Sequence, residues 1–487
     1  MPMERSGARN VNQFRLSPCA PTTGPFKGYE RLDWINSRAS RNGTGSFANL
    51  MHHFSSYNLH QAFRRLDGSK AIGIDQMTKQ KYGEALRENI EKLSSEIDRG
   101  GWRPKPARQV MIPKPNGGWR PLAVGCLEDK IVQMLTAKIL EAIFEPEFYR
   151  TSFGFRQGRS QHQAIAKVYK AIRERAKENV VVEMDIEKFF NTINHDKLMK
   201  LIETKISDVK FLRHLRRILR NSTLSEDGEL LSNETGTPQG SPVSPILANI
   251  YLHYVLDAWF HNHWVDHGEM IRFADDALFV FKDEQKALEF RKALEKHLAE
   301  EGNIKLNAEK SGLIRFHSET REGNISFLGF TFYWGKNQRG RNKILRLKTA
   351  AKTLNRCMQT FYEWIRLERN RKRTKVLWQL AAAKLRGHYL YFGVSFNRNK
   401  LYHFYHSCIR ALYKWLNRRS QKRSFSWERL SRRLMFEPLP LPLPWNALVD
   451  VTNGLGLGLK HKPKSRMRKS RTYGSQRSIG TQIPLFT

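Results

Sequence analysis

The sequence predicts an α+β fold in which a mixed catalytic body precedes a basic α-helical module. Two strand-length apolar segments, "VVVEMD" (180–185) and "RFADDALFVF" (272–281), each carry aspartate where a buried strand should avoid charge. Helical patterns surround these segments, and from Lys336 onward the pattern is helical and dense in arginine and lysine. We therefore expect a mixed body followed by a helical module.

The charge of the chain is strongly uneven. The 487 residues are 40% hydrophobic, enough for two or three domains with cores, and carry a net charge of +38. Before Lys336 lie 49 of the 84 basic and 41 of the 46 acidic residues, so residues 1–335 carry about +8 and the remainder about +30. Because contacts with phosphates release counterions, this asymmetry predicts a nucleic-acid partner rather than a uniformly solubilising surface.

Several classes of protein are not indicated. No apolar run approaches the ~20 residues of a membrane span, and the N-terminus lacks the pattern of a secretory signal. The four cysteines form no CxxC pair, so neither a zinc ribbon nor a disulfide framework is predicted. We expect a reduced, cytoplasmic, nucleic-acid-associated protein without a membrane partner.

The N-terminal part begins with residues 1–45, which are polar, rich in Gly, Pro and Ser, and predicted to be flexible. Helices are expected from Phe47 to about Ile97. Residues 100–124 show short β signals around a "PNGG" turn, which is typical of a hairpin, and a helix is expected from about Glu128 to Ile143.

Five further elements are predicted in the rest of the catalytic body: a strand at 180–190, a helix at 244–260, the strand at 272–281, a helix at about 284–301 and a strand or hairpin at 325–334. The predicted domains are 46–335 for the catalytic body, 336–436 for the helical module and 437–487 for a Pro/Gly-rich basic tail.

The aspartates suggest chemistry with metal ions. Adjacent buried carboxylates repel each other, and bound cations are the simplest way to make such a cluster tolerable. Asp185 and Asp275 could hold two Mg²⁺ ions, one lowering the pKa of an attacking hydroxyl and one stabilising a leaving phosphate. Taken alone, the "ADD" in 272–281 fits a polar edge-strand hairpin at least as well.

Three further features have alternative interpretations. Lys114 and Arg120 flank the "PNGG" turn and could close over a triphosphate, or they are two exposed surface charges. Phe190 could exclude a ribose 2′-hydroxyl or pack in the core. Gln239 in "TPQGSP" could contact a template base or an incoming nucleotide, or it is an ordinary loop amide.

Seven ordered segments together resemble the successive blocks of a reverse transcriptase, in the order and spacing of the type encoded in bacterial group II introns. They are "IPKPNGGWRPLAV", "GFRQGRS", "MDIEKFFNTINH", "TPQGSPVSPILANIYL", "RFADDALFVF", "LNAEKSGLI" and "FLGFTF". The resemblance implies a right-hand polymerase fold, with fingers and palm, followed by a basic α-helical thumb/maturase domain.

The resemblance also implies roles for individual residues. Asp185, Asp275 and Asp276 fall on the catalytic triad, and the carbonyl of Ile186 completes the metal ligands. Lys114 and Arg120 match residues that hold the incoming triphosphate, Phe190 matches the steric gate, Gln239 the nucleotide-pocket glutamine, and Phe327, Leu328 and Gly329 the primer grip. Phe273 stands where the family often has tyrosine, which leaves the metal ligands unaffected.

The flanking regions extend the resemblance. Residues 385–430 resemble the thumb/maturase region (domain X), where we expect most aromatic side chains to pack in the core while lysine and arginine bind RNA. Residues 46–78 resemble the extension that precedes the fingers and contacts RNA. The absence of cysteine after Trp445 matches the subgroup without an HNH endonuclease.

The expected function is that of an RNA-directed DNA polymerase that is also a maturase, assisting group II intron splicing and retrohoming. Its expected ligands are the intron RNA, an RNA template, a DNA primer, dNTPs and two Mg²⁺ ions, with the oligomeric state left open. Two alternatives remain: a domesticated or defence-associated reverse transcriptase without an intron partner, and a non-catalytic RNA-binding splicing factor.

Overall fold

The computed structural model describes residues 26–41, 45–113, 117–174, 178–318, 323–336, 343–419 and 426–442. The helices are Leu32–Arg41 (α1), Ser56–Arg65 (α2), Lys79–Glu84 (α3), Leu86–Asp98 (α4), Leu127–Phe144 (α5), Gln161–Glu174 (α6), Phe189–Thr192 (α7), His195–Glu203 (α8), Val209–Leu219 (α9), Ser244–Leu252 (α10), Ala258–His263 (α11), Glu284–Gly302 (α12), Ala351–Glu368 (α13), Thr374–Phe392 (α14), Arg398–Asn417 (α15) and Trp427–Phe436 (α16). The strands are Ala107–Pro113 (β1), Trp119–Val124 (β2), Glu178–Asp185 (β3), Thr223–Leu224 (β4), Leu230–Leu231 (β5), Gly268–Phe273 (β6), Asp276–Phe281 (β7), Leu313–His317 (β8), Ile325–Phe327 (β9), Phe330–Lys336 (β10) and Lys343–Thr349 (β11).

The central sheet is antiparallel, with strand order β6-β7-β3-β8. Alternate residues of β3 enter two different cores: Val180 and Val182 pack in the core that includes α12, and Val181 packs in the core that includes α6. Both faces of the sheet are therefore covered, which explains why its strands read as nearly continuous apolar runs.

Two smaller sheets flank this centre. The sheet β2-β1-β4-β5 contains the predicted hairpin around 100–124, and the sheet β11-β10-β9 contains the predicted hairpin at 325–334. The helices expected near 128–143 and 284–301 are present as α5 and α12. The mixed α+β architecture predicted from the sequence is thus confirmed.

The segment 272–281 is a hairpin rather than the single strand expected from its composition. Strands β6 and β7 are joined by Ala274 and Asp275 alone, with Phe273 and Asp276 as register partners. Ala274 has φ 59°, the positive value that a two-residue hairpin connection requires at its first position. Apolar composition could not reveal this turn, because Ala274 is not a residue that normally signals positive φ.

The hairpin turn lies directly against a glycine from another part of the chain. A β-carbon on Gly154 would lie within 3.0 Å of the Ala274 Cα and would overlap its backbone nitrogen. The adjacent Phe153 N–H donates to the Arg272 carbonyl over 2.9 Å. Only glycine permits this approach of two backbones, so Gly154 fixes where the turn lies.

A fully buried arginine ties the turn to the helices beneath it. Arg272 donates from Nε and Nη2 to both carboxylate oxygens of Asp257, over 2.7 and 2.6 Å, and both side chains are 0% exposed. Its Nη1 donates to Asn249 Oδ1 over 3.1 Å and to the Ala274 carbonyl over 3.0 Å. Asn249 in turn donates to the Gly154 carbonyl over 2.8 Å. These hydrogen bonds therefore link the turn to Asp257, Asn249 and Gly154.

Asp257 owes its position to an irregularity in its helix. The segment predicted as one helix at 244–260 consists of α10, a π-helical turn at His253–Asp257, and α11. A π-helical turn inserts an extra residue and rotates the helix beyond it, and such turns recur at functional sites. The π-helical turn ends at Asp257, the residue that pairs with Arg272.

Two domain boundaries differ from the sequence expectation. Helix α1 lies inside the segment expected to be flexible, yet its Leu32 and Ile35 are buried and it contacts α5. The boundary expected at Lys336 falls within the β10–β11 hairpin, in which Lys336 pairs with Lys343. The change in composition at Lys336 marks where basic residues become frequent. It does not mark the end of the sheet, because β10 and β11 pair with each other on either side of this position.

The C-terminal helices α13–α16 enclose the aromatic residues of the basic region. Tyr389, Phe392 and Trp415 are buried, and Tyr391, Tyr405 and Tyr413 pack partly buried against the same core, whereas Trp427 is 48% exposed. The first residues beyond α16 also pack: the Tyr389 hydroxyl donates to the Pro440 carbonyl over 3.1 Å, and Leu439 is buried. No helix within the described ranges has both the length and the apolar composition needed to cross a membrane.

We predict that burial of His214 makes stability fall in mild acid. Burial lowers the pKa of His214 to about 3, with the charge of Arg217 contributing. Between pH 6.5 and 3 only the unfolded chain binds this proton, so the free energy of unfolding at pH 5 should fall by about 2 kcal/mol. Urea unfolding at pH 7 and pH 5 should show this loss, and His214→Gln should lack that part of it. The exposed His263→Gln variant is the control; an unchanged pH response in His214→Gln contradicts the prediction.

We also predict that Asp257→Asn strongly destabilises the protein. The variant leaves the Arg272 guanidinium buried without its counter-charge, which costs about 3 kcal/mol or more. Glu295→Gln is the matched control, because Glu295 pairs with Arg291 at the surface, where such pairs contribute about 1 kcal/mol at most. Urea unfolding of both variants measures the difference, and equal losses would show that burial of the pair is unimportant.

Candidate active site

The three predicted aspartates meet at one end of the central sheet. Asp185 ends β3, Asp276 begins β7, and the two are register partners. Asp275 occupies the adjoining turn. A cleft of about 240 Å³ is lined by Asp185, Asp276, Lys310 and the β9–β10 turn. The sequence separates these acids by about 90 residues, and antiparallel pairing brings them together.

Burial and mutual repulsion raise the pKa values of two of these acids, Asp275 and Asp276. Burial, together with the neighbouring charges of Asp275 and Asp185, raises the pKa of Asp276 to about 7. Burial also raises the pKa of Asp275, as does the charge of Asp185, whereas Arg120 and Lys310 act in the opposite direction. The cluster thus carries more negative charge than its surroundings compensate, an environment that favours binding of a cation.

One cation of the protein already contacts the cluster. Lys310 Nζ donates to Asp185 Oδ2 over 2.8 Å, and this hydrogen bond raises the pKa of Lys310. Among the described residues, no three His, Cys, Asp or Glu side chains are grouped as a ready-formed metal site. The oxygen donors present are nevertheless of the type that Mg²⁺ prefers.

The carbonyl of Ile186, the residue after Asp185, takes no part in the hydrogen bonds to the segment that contains Leu306. Ile186 is buried and forms an isolated antiparallel bridge with Leu306. The hydrogen bonds of this bridge run from Asn307 N–H to the Asp185 carbonyl and from Glu187 N–H to the Lys305 carbonyl. In this pattern the Ile186 carbonyl points away from the partner strand, beside the acids.

Phe190 and Gln239 line a second cleft, of about 210 Å³. The loop around Gln239 is held against Phe190, because Thr237 N–H donates to the Phe190 carbonyl over 2.6 Å. A β-carbon on Gly236 would lie 2.7 Å from that same carbonyl, so glycine is required there. Gln239 Nε2 donates to Asn191 Oδ1 over 3.2 Å, which orients the amide beside Phe190.

The predicted fingers residues are only partly described. Arg120 lies on β2, is exposed, and is near enough to Asp275 to affect its pKa. The same strand contacts the second cleft, since Ala123 N–H donates to the Gln239 carbonyl over 2.8 Å. Lys114 lies outside the described residues.

Phe327, Leu328 and Gly329 form the turn between β9 and β10. Phe327 and Phe330 are register partners, so Leu328 and Gly329 alone make the connection. Phe327 and Leu328 line the same cleft as Asp185 and Asp276. The structure therefore brings two of the three predicted primer-grip residues and two of the predicted catalytic acids to one cavity.

Sequence reasoning missed several residues that support this site. Lys310 lies in the "LNAEKSGLI" segment, but a single lysine gave no sign that it would contact Asp185. Glu183, on the same face of β3 as Asp185, accepts a hydrogen bond from Ser326 N–H over 3.2 Å. Burial raises the pKa of Glu183 to about 7. Two of the supporting residues could have been found from the sequence. Glu183 is a charged residue within an apolar strand, and Arg272 is a charged residue directly before "FADD".

Comparison with known proteins agrees with this geometry. Residues 112–332 match the family described as reverse transcriptase (RNA-dependent DNA polymerase). The matched range begins in β1 and ends in β10, so it contains the three aspartates, Phe190, Gln239 and the β9–β10 turn.

Three relatives illustrate the similarity. An uncharacterized 91 kDa protein in the cob intron of Schizosaccharomyces pombe is 40% identical over 173 residues, 36% of this chain and 21% of the relative. The group II intron-encoded protein LtrA of Lactococcus lactis subsp. cremoris is 37% identical over 187 residues, 38% of this chain and 30% of LtrA. Protein YkfC of Escherichia coli is 28% identical over 320 residues, 59% of this chain and 82% of YkfC.

The chain thus spans about a fifth of the Schizosaccharomyces pombe relative and under a third of LtrA, but most of YkfC. The family match falls on the part of the chain that builds the carboxylate cluster. Residues 112–332 therefore match the reverse transcriptase family, and this chain is similar to a group II intron-encoded protein.

Proposed function

We propose that this protein is an RNA-directed DNA polymerase that extends a DNA primer on an RNA template with dNTPs, and that it also acts as a group II intron maturase. The observation that supports the polymerase most directly is the convergence of Asp185, Asp275 and Asp276 at one end of the central sheet. Asp185 and Asp276 share one cleft with Phe327 and Leu328, where the end of a primer would lie.

The donor set fits two Mg²⁺ ions. Asp185, Asp275 and the Ile186 carbonyl would hold them, with Asp276 beside them. Bound Mg²⁺ would supply Lewis acidity to the primer hydroxyl and to the leaving pyrophosphate. The raised pKa values of Asp275 and Asp276 support this assignment, because crowded carboxylates are stabilised by a cation.

The second cleft is suited to the incoming nucleotide. Arg120, together with Lys114, would bind the triphosphate, since guanidinium and ammonium groups pair with phosphate oxygens. The Phe190 ring would fill the space of a ribose 2′-hydroxyl, and its backbone is fixed by the Thr237 hydrogen bond. Gln239, which lines the same cleft, would contact the nucleotide beside Phe190.

The β9–β10 turn would hold the primer terminus. Leu328 and the aspartates line one cleft, so a primer seated on Phe327–Gly329 would present its 3′ end to the acids. Orientation of this kind supplies much of the rate enhancement in nucleotidyl transfer, where the protein contributes little covalent chemistry.

The helical region would bind RNA, including an intron. Cationic groups lie over aromatic rings there: Lys414 over Tyr362 at 5.0 Å, Arg369 over Trp415 at 4.8 Å and Lys384 over Trp364 at 5.0 Å. The net charge of about +30 beyond residue 335 favours phosphate contacts. The intron context of the LtrA relative supports a maturase role in splicing and retrohoming.

We predict that Asp275→Ala abolishes DNA synthesis. Removing this oxygen donor should lower primer extension on an RNA template, with dNTPs and Mg²⁺, by at least about a hundredfold. Asp266→Ala, an exposed acid in the loop before β6, is the control and should extend normally. Normal extension by Asp275→Ala would refute the assignment. Salt-sensitive RNA binding without any cDNA from the natural protein would instead favour the splicing-factor alternative.

We predict that Phe190→Ala relaxes sugar selection. Without the ring, a 2′-hydroxyl is accommodated, so the ratio of rNTP to dNTP incorporation should rise about ten- to a hundredfold while dNTP use persists. Competition between the two nucleotides in primer extension measures this ratio. Trp34→Ala removes an exposed aromatic ring on α1 and should leave it unchanged. An unaltered ratio in Phe190→Ala would mean that the ring only packs the core.

A further inference from the structure

We propose that Tyr391 is a positioning residue: its hydroxyl holds the Phe327–Gly329 turn, and through it the primer 3′ end, against Asp185 and Asp276. The hydroxyl donates from α14 to the Leu328 carbonyl over 3.2 Å. This inference rests on the polymerase function proposed above, and it assigns to the C-terminal helices a direct part in active-site geometry.

The turn adopts a conformation that its own sequence disfavours. Leu328 has φ 49° and Gly329 has φ 77°, two successive positive values in a two-residue hairpin connection. Such turns normally carry Asn, Asp or Gly, because a branched side chain crowds the backbone at positive φ. Leucine at the first position therefore needs contacts from outside the hairpin to stay in place.

Those contacts come from the C-terminal helical region. Besides the Tyr391 hydrogen bond, Ala350 N–H donates to the Gly329 carbonyl over 2.9 Å. The side chains of Thr353 and Phe392 lie at contact distance from the place of a Gly329 β-carbon, 3.4 and 3.5 Å. Both carbonyls of the strained turn are thus held by residues after β10.

Tyr391 is itself firmly placed. Its ring lies parallel to that of Phe330, with centroids 6.2 Å apart, and contacts the ring of Phe392. Its backbone carbonyl accepts a hydrogen bond from His162 Nε2 on α6 over 2.8 Å. Burial raises the pKa of Tyr391, with Asp276 contributing, so the hydroxyl keeps its proton and remains a donor. The turn is therefore linked through Tyr391 to α6, which packs on the central sheet.

The hydrogen bond matters because Leu328 lines the cleft of the acids. A turn that moves by even a fraction of an ångström shifts the primer end relative to Asp185 and Asp276, and reaction rates are sensitive to such displacements. Loss of the hydroxyl should consequently slow the chemical step while leaving the binding of nucleic acid and dNTP nearly unchanged.

Tyr391→Phe tests this proposal, with Tyr389→Phe as the matched control. Both tyrosines lie on α14 and both donate their hydroxyl to a backbone carbonyl, but Tyr389 donates to Pro440, outside the cleft. Single-turnover incorporation of one dNTP on an RNA template and DNA primer gives the maximal rate and the dNTP Kd separately. Titration of the template–primer and thermal unfolding complete the comparison.

In Tyr391→Phe we expect the maximal rate to fall about five- to tenfold, with both Kd values within about twofold of the natural protein. Tyr389→Phe should keep the natural rate, and both variants should unfold at similar temperatures. An unchanged rate in Tyr391→Phe, an equal fall in Tyr389→Phe, or a loss of nucleic-acid binding in Tyr391→Phe each overturns the proposal. No extension by the natural protein would instead reject the polymerase function itself, and this inference with it.

Discussion

The buried pair of Arg272 and Asp257 is the interaction on which the active-site geometry depends. Two charges without solvent access are stable only when every donor and acceptor is used, and this guanidinium uses its Nε, Nη1 and Nη2 groups. One of its bonds goes to the carbonyl of Ala274, in the turn that also contains Asp275. The position of the β6–β7 turn is therefore fixed by a network that reaches the helices and Gly154, and a shift of the turn would leave a donor of the buried guanidinium without its acceptor.

Two residues with strained backbone lie where the proposed chemistry takes place. Ala274 and Leu328 both have positive φ, and each begins a two-residue connection that lies beside the acids. In each case hydrogen bonds from other elements hold the turn: Arg272 bonds the Ala274 carbonyl, and Tyr391 bonds the Leu328 carbonyl. Strained residues persist only when their surroundings over-determine them, and rigid turns of this kind keep reacting groups oriented before substrate binds.

The chain as a whole is basic, whereas its candidate active site is acidic. The whole chain is strongly basic, which attracts nucleic acid over a Debye length, whereas the end of the central sheet collects three carboxylates. Lys310 compensates one of them, Asp185, and leaves Asp275 and Asp276 with raised pKa values. In the proposed reaction a polyanionic substrate would be attracted to the basic protein, while the cluster of carboxylates would be stabilised by bound cations.

The sequence by itself determined most of the elements: strand-length apolar runs predicted the central strands, and the "PNGG" signal predicted a hairpin. These elements are confirmed because hydrophobic period and turn chemistry are local properties. Aspartates within apolar runs pointed to Asp185, Asp275 and Asp276, whose catalytic role stays a prediction. Only the tertiary structure decided that 272–281 is a hairpin, that Lys310 contacts Asp185, and that Tyr391 reaches Leu328. Each of these depends on residues distant in the chain, since positive φ at alanine or leucine is imposed by neighbours rather than by propensity.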